Sequence, residues 1–341
     1  MTGEAAPLLE LRHVGKSFRL RGALFGPARQ LHAVRDVSLQ IPRGSITAIV
    51  GESGCGKSTL ARMLLGLETP SSGEILIDGQ PIGALDRRAF ATRVQPVFQD
   101  PVSSLNPRKT VAQIVRFPLD AHGVKHPAWR AARVREVLEL VDLPQRLMHS
   151  YPSQLSGGQC QRVAIARALA IGPEAIICDE PTSALDVSVQ AHILNLILDL
   201  WERTGTAFVL ISHDMAVVEI MAQRIAVMYL GRVVEAGETA QVMRDPLHPY
   251  TRALLSSVMT PEPEAGLPEP AFSGMAPDPT DPPPGCAFHP RCPRAFELCA
   301  VLEPVLGKPA GAVPEGKGRQ LACHLHPPPG PEAAQADRGS R

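Results

Sequence analysis

The run GESGCGKST at residues 51–59 limits the possible folds of this chain more than any other segment. It directly follows the apolar residues 45–50, so a predicted strand leads into a glycine-rich turn that opens a helix. Glycines let successive backbone N–H groups turn toward one anion, and the helix start at Lys57 adds further free N–H groups. Lys57 can supply a cation for phosphates, and the Ser58 hydroxyl can ligate Mg²⁺. The run predicts a site for ATP or GTP, against the alternative of a turn that merely joins strand to helix.

Length and charge restrict the remaining possibilities. With 341 residues, the chain can bury a sizeable core and is expected to hold one large domain plus an appendage. Lys+Arg and Asp+Glu number 34 each, so no global basic field favours a nucleic-acid partner. No apolar stretch approaches the roughly 20 residues that cross a bilayer, and residues 1–11 lack a signal-peptide pattern. We expect a cytosolic chain whose seven cysteines are free or metal-bound rather than paired in disulfides.

Two regions of different composition follow each other along the chain. From residue 8 to about 258, short β-branched runs alternate with helical patterns, which indicates an α/β sheet domain. Strands are predicted at 8–14, 34–41, 45–50, 94–98, 175–179, 207–212 and 224–228. Between residues 110 and 150 the pattern is helical, which predicts a helical insertion. The tail holds 18 of the 34 prolines in residues 261–341, so it needs something to order it.

A second predicted anion-binding helix start lies at residues 155–159, LSGGQ, ahead of an alanine-rich stretch. An isolated S-G-G is more often only an N-cap and loop. Here it precedes the apolar run 175–178, which ends in Asp179 and Glu180. Two carboxylates at a strand end can place one near Mg²⁺ and the other near an attacking water. We therefore favour phosphoryl transfer over a solvated strand end.

With these motifs, residues 8 to about 258 resemble the ABC-transporter ATPases. The resemblance implies an α/β P-loop cassette over residues 1–258, with a mixed sheet core and a helical subdomain at about 105–170. It implies ATP and Mg²⁺ as cofactors, with Glu180, His213 and Gln99 as catalytic residues. The implied Mg²⁺ ligands are Ser58, Gln99 and Asp179. The implied nucleotide contacts are Phe18, Gly51, Ser53, Gly54, Cys55, Gly56, Lys57, Ser58 and Thr59, and the signature residues Ser156, Gly157, Gly158 and Gln159.

Two of these implied roles compete with ordinary structural ones. The Phe18 ring would stack on adenine, but a plain core phenylalanine is the alternative because residues 19–32 form an unusual insert. A structural or solvated side chain is the alternative for His213, which the resemblance places against the γ-phosphate. Residues 183–186 match the family's dimer-contacting loop, and the resemblance places the signature across a dimer interface from the partner's nucleotide.

Longer runs are similar to the oligopeptide and dipeptide importer branch of that family. These runs are QDPVSSLNPR at 99–108, CQR at 160–162, DPLHPYT at 245–251 and GCAFHPRCP at 285–293. The similarity implies an ATP-hydrolysing subunit that powers peptide import, bound peripherally at the cytoplasmic face of the cell membrane, with 259–341 as the branch's C-terminal extension.

The same similarity implies a set of partners and leaves two alternatives open. The partners are a paralogous ATPase in a heterodimer, two membrane permease subunits, and an extracytoplasmic peptide-binding protein that acts through the permeases. The permeases would dock near Gln99 and residues 100–108, with Ser104 and Leu105 at the contact. Related ATPases serve nickel and other small solutes, which is one alternative. The other is a soluble ABC ATPase acting on DNA or ribosomes, which the single cassette and balanced charge disfavour.

Four cysteines in the tail are spaced C-x5-C-x6-C-x23-C: Cys286, Cys292, Cys299 and Cys323. Four thiolates could hold zinc or a [4Fe-4S] cluster, and either would order a segment with little apolar material. The short C-x2-4-C pairs common in zinc sites do not occur. The importer tail that this segment resembles is associated with an iron–sulfur cluster, so a structural [4Fe-4S] cluster is favoured over zinc, with unliganded thiols as the third possibility.

Overall fold

The computed structural model of the chain describes residues 6–20, 29–256, 277–309 and 318–327. Its strands there are β1 (Leu9–Leu20), β2 (Arg29–Ile41), β3 (Ile46–Val50), β4 (Ser72–Ile77), β5 (Gln80–Pro81), β6 (Val94–Val97), β7 (Ala175–Asp179), β8 (Ala207–Ser212), β9 (Arg224–Tyr229), β10 (Arg232–Glu238) and β11 (Gln320–Leu321). The α-helices are α1 (Lys57–Leu64), α2 (Arg87–Arg93), α3 (Val111–Ala121), α4 (Pro127–Leu140), α5 (Gly157–Leu169), α6 (Val187–Thr204), α7 (Met215–Met221), α8 (Thr239–Arg244), α9 (Pro249–Ser256) and α10 (Glu297–Val301).

A mixed sheet of seven strands, in the order β11-β10-β9-β3-β8-β7-β6, forms the centre of the molecule. The strands from β9 to β6 pair in parallel, whereas β10 and β11 are antiparallel to their neighbours. Every residue of β3 and β8 is buried, as expected for strands covered on both faces. Because Val50 pairs with Ser212, and Asp179 with Ile211, the segments after β3, β7 and β8 leave the same edge of the sheet.

The two faces of this sheet contribute to two separate hydrophobic cores. Along β7, Ile176 and Cys178 lie in one core, and Ala175 and Ile177 lie in the other, as the alternation of a strand requires. The first core includes residues of α3 to α7. The second includes residues of α1 and of strands β1, β2 and β4, which belong to the antiparallel sheet β2-β1-β4-β5. The predicted α/β architecture with a mixed sheet core is confirmed.

The predicted helical insertion is confirmed in α3 and α4. Thr110 caps α3 in a reciprocal pair with Gln113, which satisfies two N–H groups at the helix start. One face of α4 is apolar and buried, with Val134, Val137 and Leu138 in the core shared with α5. Among the helices of the described residues, none combines the length and apolar composition that a bilayer span requires.

The seven predicted strands are all present, but the hairpin of β1 and β2 is longer than predicted. Leu20 pairs with Arg29, so both strands continue into the predicted insert 19–32, of which residues 21–28 lie outside the described residues. The ends of these strands carry polar side chains on both faces, so they lack the apolar alternation by which a strand is predicted. They are held as strands by backbone pairing and not by burial. Strands β4, β5, β10 and β11 were not predicted.

The structure describes the tail over residues 277–309 and 318–327, and its segments 257–276, 310–317 and 328–341 lie outside the described residues. Leu321 of β11 pairs with Glu235 of β10 and so adds the tail to the central sheet. The Arg319 guanidinium donates to the Glu235 carboxylate at 2.6 Å, and both side chains are buried. A buried ion pair and a strand pairing thus hold a segment that lacks a core of its own.

Candidate functional site

The loop at residues 51–56 joins β3 to α1 in a conformation that needs its glycines. Gly51 and Gly56 have φ angles of 151° and 105°. A Cβ on Gly51 would lie 2.2 Å from the Met228 carbonyl oxygen, and one on Gly56 would lie 2.1 Å from that of Ala33. Gly56 precedes α1 without a side-chain cap, so the first N–H groups of this helix can bind an anion.

Lys57 is buried at the base of this loop. Its Nζ donates to the carbonyl oxygens of Gly51 at 2.7 Å and Glu52 at 3.0 Å. The predicted contacts Ser53 and Gly54 are exposed, Thr59 is half-buried, and Cys55 is buried. The Cys55 side chain therefore packs inward, and burial raises the pKa of its thiol.

A hydroxyl and a carboxylate meet where β7 ends beside α1. The Ser58 Oγ donates to Asp179 Oδ1 at 3.2 Å. Burial raises the pKa of the Asp179 carboxyl, while the Ser58 hydrogen bond opposes that shift. Hydroxyl and carboxylate oxygens are the donors that Mg²⁺ prefers, so the pair fits the predicted metal site.

Glu180 lies next to this pair and has a partner on each carboxylate oxygen. The Gln99 Nε2 donates to Glu180 Oε2 at 3.2 Å, and His213 Nδ1 lies 3.4 Å from Oε1. The Glu180 side chain is 16% exposed and that of His213 is 58% exposed, so the group opens toward solvent on the histidine side. The structure thus brings the three predicted catalytic residues together.

Helix N-caps hold two further parts of the site, the turn that carries His213 and the signature at residues 155–159. Asp214 caps α7 by accepting from the N–H groups of Ala216 and Val217, which holds the turn that carries His213. Ser156 caps α5 in a reciprocal pair with Gln159. A Cβ on Gly158 would lie 2.6 Å from Val189 Cγ1, so this glycine packs closely against α6. The signature residues lie at the start of α5, in the helical part of the chain, whereas the loop at 51–56 follows strand β3 of the central sheet.

Phe18 lies on β1 in the long hairpin, half-buried and opposite Leu31. The Lys16 Nζ lies 5.1 Å from the centre of its ring, and the same amine bonds the Thr69 carbonyl at 2.8 Å. The ring is not part of either core cluster. Its predicted contact with adenine stays a prediction.

The segment at residues 100–108 differs from the prediction at one residue. Leu105 is only 2% exposed and belongs to the core, so its side chain cannot be a surface contact. Ser104 is half-buried, and its carbonyl oxygen accepts from Arg167 Nη1 at 2.6 Å. Phe98 and Val102 are instead the exposed apolar side chains here, at 37% and 54%.

Sequence reasoning did not single out the residues that hold Glu52 in the loop. The Glu52 N–H donates to the Tyr250 hydroxyl at 2.8 Å, and the Glu52 carboxylate accepts from both terminal nitrogens of Arg291 at 2.9 and 3.0 Å. Tyr250 and Arg291 lie in the runs DPLHPYT and GCAFHPRCP. Those two runs were the available signal, although only their contacts with the loop reveal this role.

The four tail cysteines lie in one neighbourhood. The Cys286 N–H donates to the Cys299 carbonyl oxygen at 2.8 Å. Burial, with a smaller contribution from the other three thiols, raises the pKa of Cys286 to about 11. Cys299 is buried and the other three are partly buried. Within the described ranges, however, no group of three or more His, Cys, Asp or Glu side chains is arranged to hold a metal ion.

Comparison with known proteins adds two family matches and several relatives. Residues 34–183 match the ABC transporter family, and residues 234–299 match the C-terminal region of the oligopeptide/dipeptide transporter family. The probable peptide ABC transporter ATP-binding protein y4tS of Sinorhizobium fredii is 47% identical over 301 residues, covering 87% of this chain and 84% of that protein. The dipeptide transport ATP-binding protein DppF of Escherichia coli is 44% identical over 303 residues, covering 88% and 91%.

Solved structures support the same fold. The dimeric ATP-binding cassette MJ0796, in a post-hydrolysis state with ADP and Pi, is 33% identical with a TM-score of 0.60 and covers 68% of this chain and 98% of its own. The cbiO1 protein of Clostridium perfringens, part of the ABC transporter complex cbiONQ, is 31% identical with a TM-score of 0.60, covering 71% and 92%.

Proposed function

Because this chain belongs to the ABC transporter family and carries the C-terminal region of its oligopeptide/dipeptide transporters, we propose that it hydrolyses ATP to power import of dipeptides or oligopeptides across the cytoplasmic membrane. The carrying observation is the Glu180 carboxylate, bonded by Gln99 and close to His213, beside the Ser58–Asp179 pair. The names of the relatives, which are peptide and dipeptide transport ATP-binding proteins, support the substrate class.

The proposed chemistry is positioning and charge neutralisation around the γ-phosphate. The N–H groups of residues 51–56 and the Lys57 amine bind the phosphates. Ser58, Asp179 and Gln99 would hold Mg²⁺, which supplies positive charge to the phosphate oxygens. Glu180 accepts the proton of the attacking water, and His213 donates toward the γ-phosphate.

We propose that the working unit is a heterodimer with a paralogous ATPase. The signature at 155–159 lies on the helical part of the chain, so it can serve the nucleotide of a partner while the loop at 51–56 binds its own. Both halves are present in this chain. Two permease subunits dock against the exposed Phe98 and Val102, and an extracytoplasmic peptide-binding protein acts on the permeases. The chain is then peripheral at the cytoplasmic face.

Reconstitution of the assembled transporter in lipid vesicles tests this proposal. We expect ATP hydrolysis to rise when a binding protein loaded with dipeptide is added, and labelled peptide to accumulate with ATP. Nickel replaces the peptide as the control solute. Stimulation by nickel alone would overturn the peptide assignment. Purification of the chain with nucleic acid, and without membrane subunits, would overturn the transport assignment.

We propose in addition that Cys286, Cys292, Cys299 and Cys323 hold a [4Fe-4S] cluster that orders the tail. Their mutual proximity and partial burial support the proposal, and four thiolates are the usual donor set of such a cluster. The described side chains are not positioned to ligate a metal, so binding of the cluster requires the thiols to rearrange.

Anaerobic purification tests the cluster. We expect brown protein that absorbs in the visible and contains iron and sulfide. We expect Cys292→Ser to lose the colour, the iron and the sulfide. The matched control is Cys160→Ser, which changes a buried cysteine of α5 and should leave the colour intact. Colourless protein with stoichiometric zinc would overturn the cluster and indicate a zinc site instead. Metal-free protein with an ordered tail would overturn both readings.

A further inference from the structure

We propose that Arg291 in the C-terminal extension is a positioning residue for the nucleotide site, acting through Glu52 of the loop at residues 51–56, the phosphate-binding loop. It makes ATP binding and the order of the cysteine-bearing segment depend on each other. This inference rests on the proposed ATPase function, because it assigns a consequence to the shape of that loop.

The ion pair between Arg291 and Glu52 has the geometry of a fixed contact. The two terminal nitrogens of the guanidinium lie 2.9 and 3.0 Å from the two carboxylate oxygens, so the pairing is bidentate. The Arg291 side chain is 6% exposed and that of Glu52 is 27% exposed. The Tyr229 hydroxyl lies 3.3 Å from Nη1 of the same guanidinium. The guanidinium is therefore shielded from water and held in one orientation, whereas the Glu52 carboxylate is partly exposed.

Glu52 transmits this contact to groups that face the phosphates. Its carbonyl oxygen accepts from Lys57 Nζ at 3.0 Å and from the Cys55 N–H at 3.3 Å. Its own N–H is bonded to the Tyr250 hydroxyl at 2.8 Å. A shift of Glu52 therefore moves the loop amides and the Lys57 amine together, although its side chain need not touch the nucleotide.

An aromatic cluster connects the same loop to the extension. The rings of Tyr229 and Tyr250 lie 4.7 Å apart, and the Phe288 ring lies 5.2 Å from the first and 5.4 Å from the second. Phe288 is 1% exposed, so it is anchored in the core of the ATPase domain. Rings at these distances and tilts pack favourably. The extension thus contacts the surroundings of the loop through an ion pair and a buried ring.

The residues that contact the loop alternate with the cysteines along one short segment. Phe288 follows Cys286 by two positions, and Arg291 directly precedes Cys292. Backbone bonds close this segment into turns, from Arg291 N–H to the Phe288 carbonyl at 3.0 Å and from Cys292 N–H to the His289 carbonyl at 3.2 Å. Cys292 therefore cannot move far without moving Arg291, its direct neighbour in the chain. Coupling of this kind is reciprocal, so bound ATP must also stabilise the cysteine segment.

Nucleotide affinity of the full-length chain tests the first half of the proposal. We expect Arg291→Ala to weaken MgATP binding on the order of tenfold, the range of a typical coupling between sites. Arg291→Lys should restore part of the affinity, since lysine keeps the charge but not the fork. The double variant Glu52→Gln/Arg291→Ala should bind no more weakly than the weaker single variant. Arg294→Ala, an exposed arginine of the same segment, is the matched control.

Alkylation of the tail thiols, resolved by mass spectrometry, tests the second half. Iron and zinc are first removed from the full-length wild type, so that none of these thiols is metal-bound. We then expect saturating MgATP to slow the alkylation of Cys286, Cys292 and Cys323. The same nucleotide should leave their rates unchanged in Arg291→Ala. Restriction to the tail peptides excludes Cys55, which nucleotide would protect directly. Glu52→Gln gives a second variant if Arg291→Ala does not fold.

Two results would overturn the inference. One is a folded Arg291→Ala that binds MgATP within twofold of the wild type. The other is tail alkylation that is unaffected by saturating MgATP in the metal-free wild type. A wild-type chain that binds no ATP would instead overturn the proposed function, so the two failures are distinguishable.

Discussion

Gln99 donates its side-chain amide to Glu180, with 3.2 Å between Nε2 and Oε2. The two residues follow β6 and β7, which are parallel neighbours in the central sheet, so the contact depends on the register of those strands. The backbone of Glu180 has a φ of 46°, and its N–H donates to the Ile211 carbonyl at 3.0 Å. The Glu180 backbone is thus held in the left-handed region by a bond to a neighbouring strand, and the fold thereby sets the direction of its side chain.

The first prediction is that Glu180→Gln binds ATP but hydrolyses it at least ~10²-fold more slowly, the scale of a lost general base. Glutamine keeps the size of the side chain and the contact with Gln99 but cannot accept the proton of the attacking water. Phosphate release and ATP affinity in the assembled complex measure the two effects. Glu202→Gln, an exposed glutamate of α6, is the control. Near-normal turnover of Glu180→Gln would contradict the assignment.

The second prediction concerns the proposed permease contact. We expect Val102→Ser to lower peptide transport while ATP affinity stays within error, because this side chain is exposed and is not among the predicted nucleotide contacts. Leu105→Ala should behave differently, costing about 2–5 kcal/mol of folding free energy because it empties a buried position. Transport assays, nucleotide titrations and urea unfolding separate the two effects. Equal loss of ATP affinity and transport in Val102→Ser would indicate a folding role instead.

The site residues that could be predicted from sequence are those whose positions depend on their neighbours in the chain. Ser156 and Gln159 form a capping box within four residues, and Asp179 ends an apolar strand, so each leaves a short pattern. Strand β10 was missed because Glu235 is buried at its centre, where Arg319 from the distant tail neutralises it. A buried charge breaks the apolar alternation on which strand prediction relies.

Long-range pairs could not be predicted for a related reason. Glu52 and Arg291 are 239 residues apart in sequence, and no periodic pattern connects them. Leu105 was placed at a surface because it belongs to a polar run, QDPVSSLNPR, whose turns are visible in sequence but whose burial is not. Burial in an irregular segment is decided by the elements that cover it. Tertiary contacts therefore separate Leu105 from Val102, only three residues away.

The third prediction compares two glycines of the phosphate-binding loop. Both Gly54 and Gly56 have a positive φ, at 80° and 105°, so alanine strains the backbone at either position by about 1–2 kcal/mol. At Gly54 no atom lies within 4 Å of the added Cβ, but at Gly56 the Ala33 carbonyl oxygen lies at 2.1 Å. We expect Gly56→Ala to lower the melting temperature clearly more than Gly54→Ala, measured without nucleotide. Equal melting temperatures would mean that the loop can move away from β2.

The fourth prediction concerns the acid stability of the ATPase domain and rests on His248. This side chain is 1% exposed, and its Nδ1 accepts from the Tyr250 N–H at 3.0 Å, so the folded chain needs the neutral imidazole. Burial lowers the pKa of His248 to about 3. In the unfolded chain the pKa is about 6.5, so the unfolded state binds one more proton than the folded state between these values.

The contribution of His248 to the free energy of unfolding is complete above about pH 6.5. It is lost as the pH falls toward 3, by up to about 1.4 kcal/mol per pH unit. We expect urea unfolding of the wild type to lose about 2 kcal/mol from this group between pH 7.5 and 5.0. His248→Asn keeps an acceptor for Tyr250 but removes the titration, so its loss should be smaller by that amount. His192→Asn, which replaces an exposed histidine of α6, is the control. A His248→Asn profile parallel to the wild type would show that His248 becomes protonated in the folded chain.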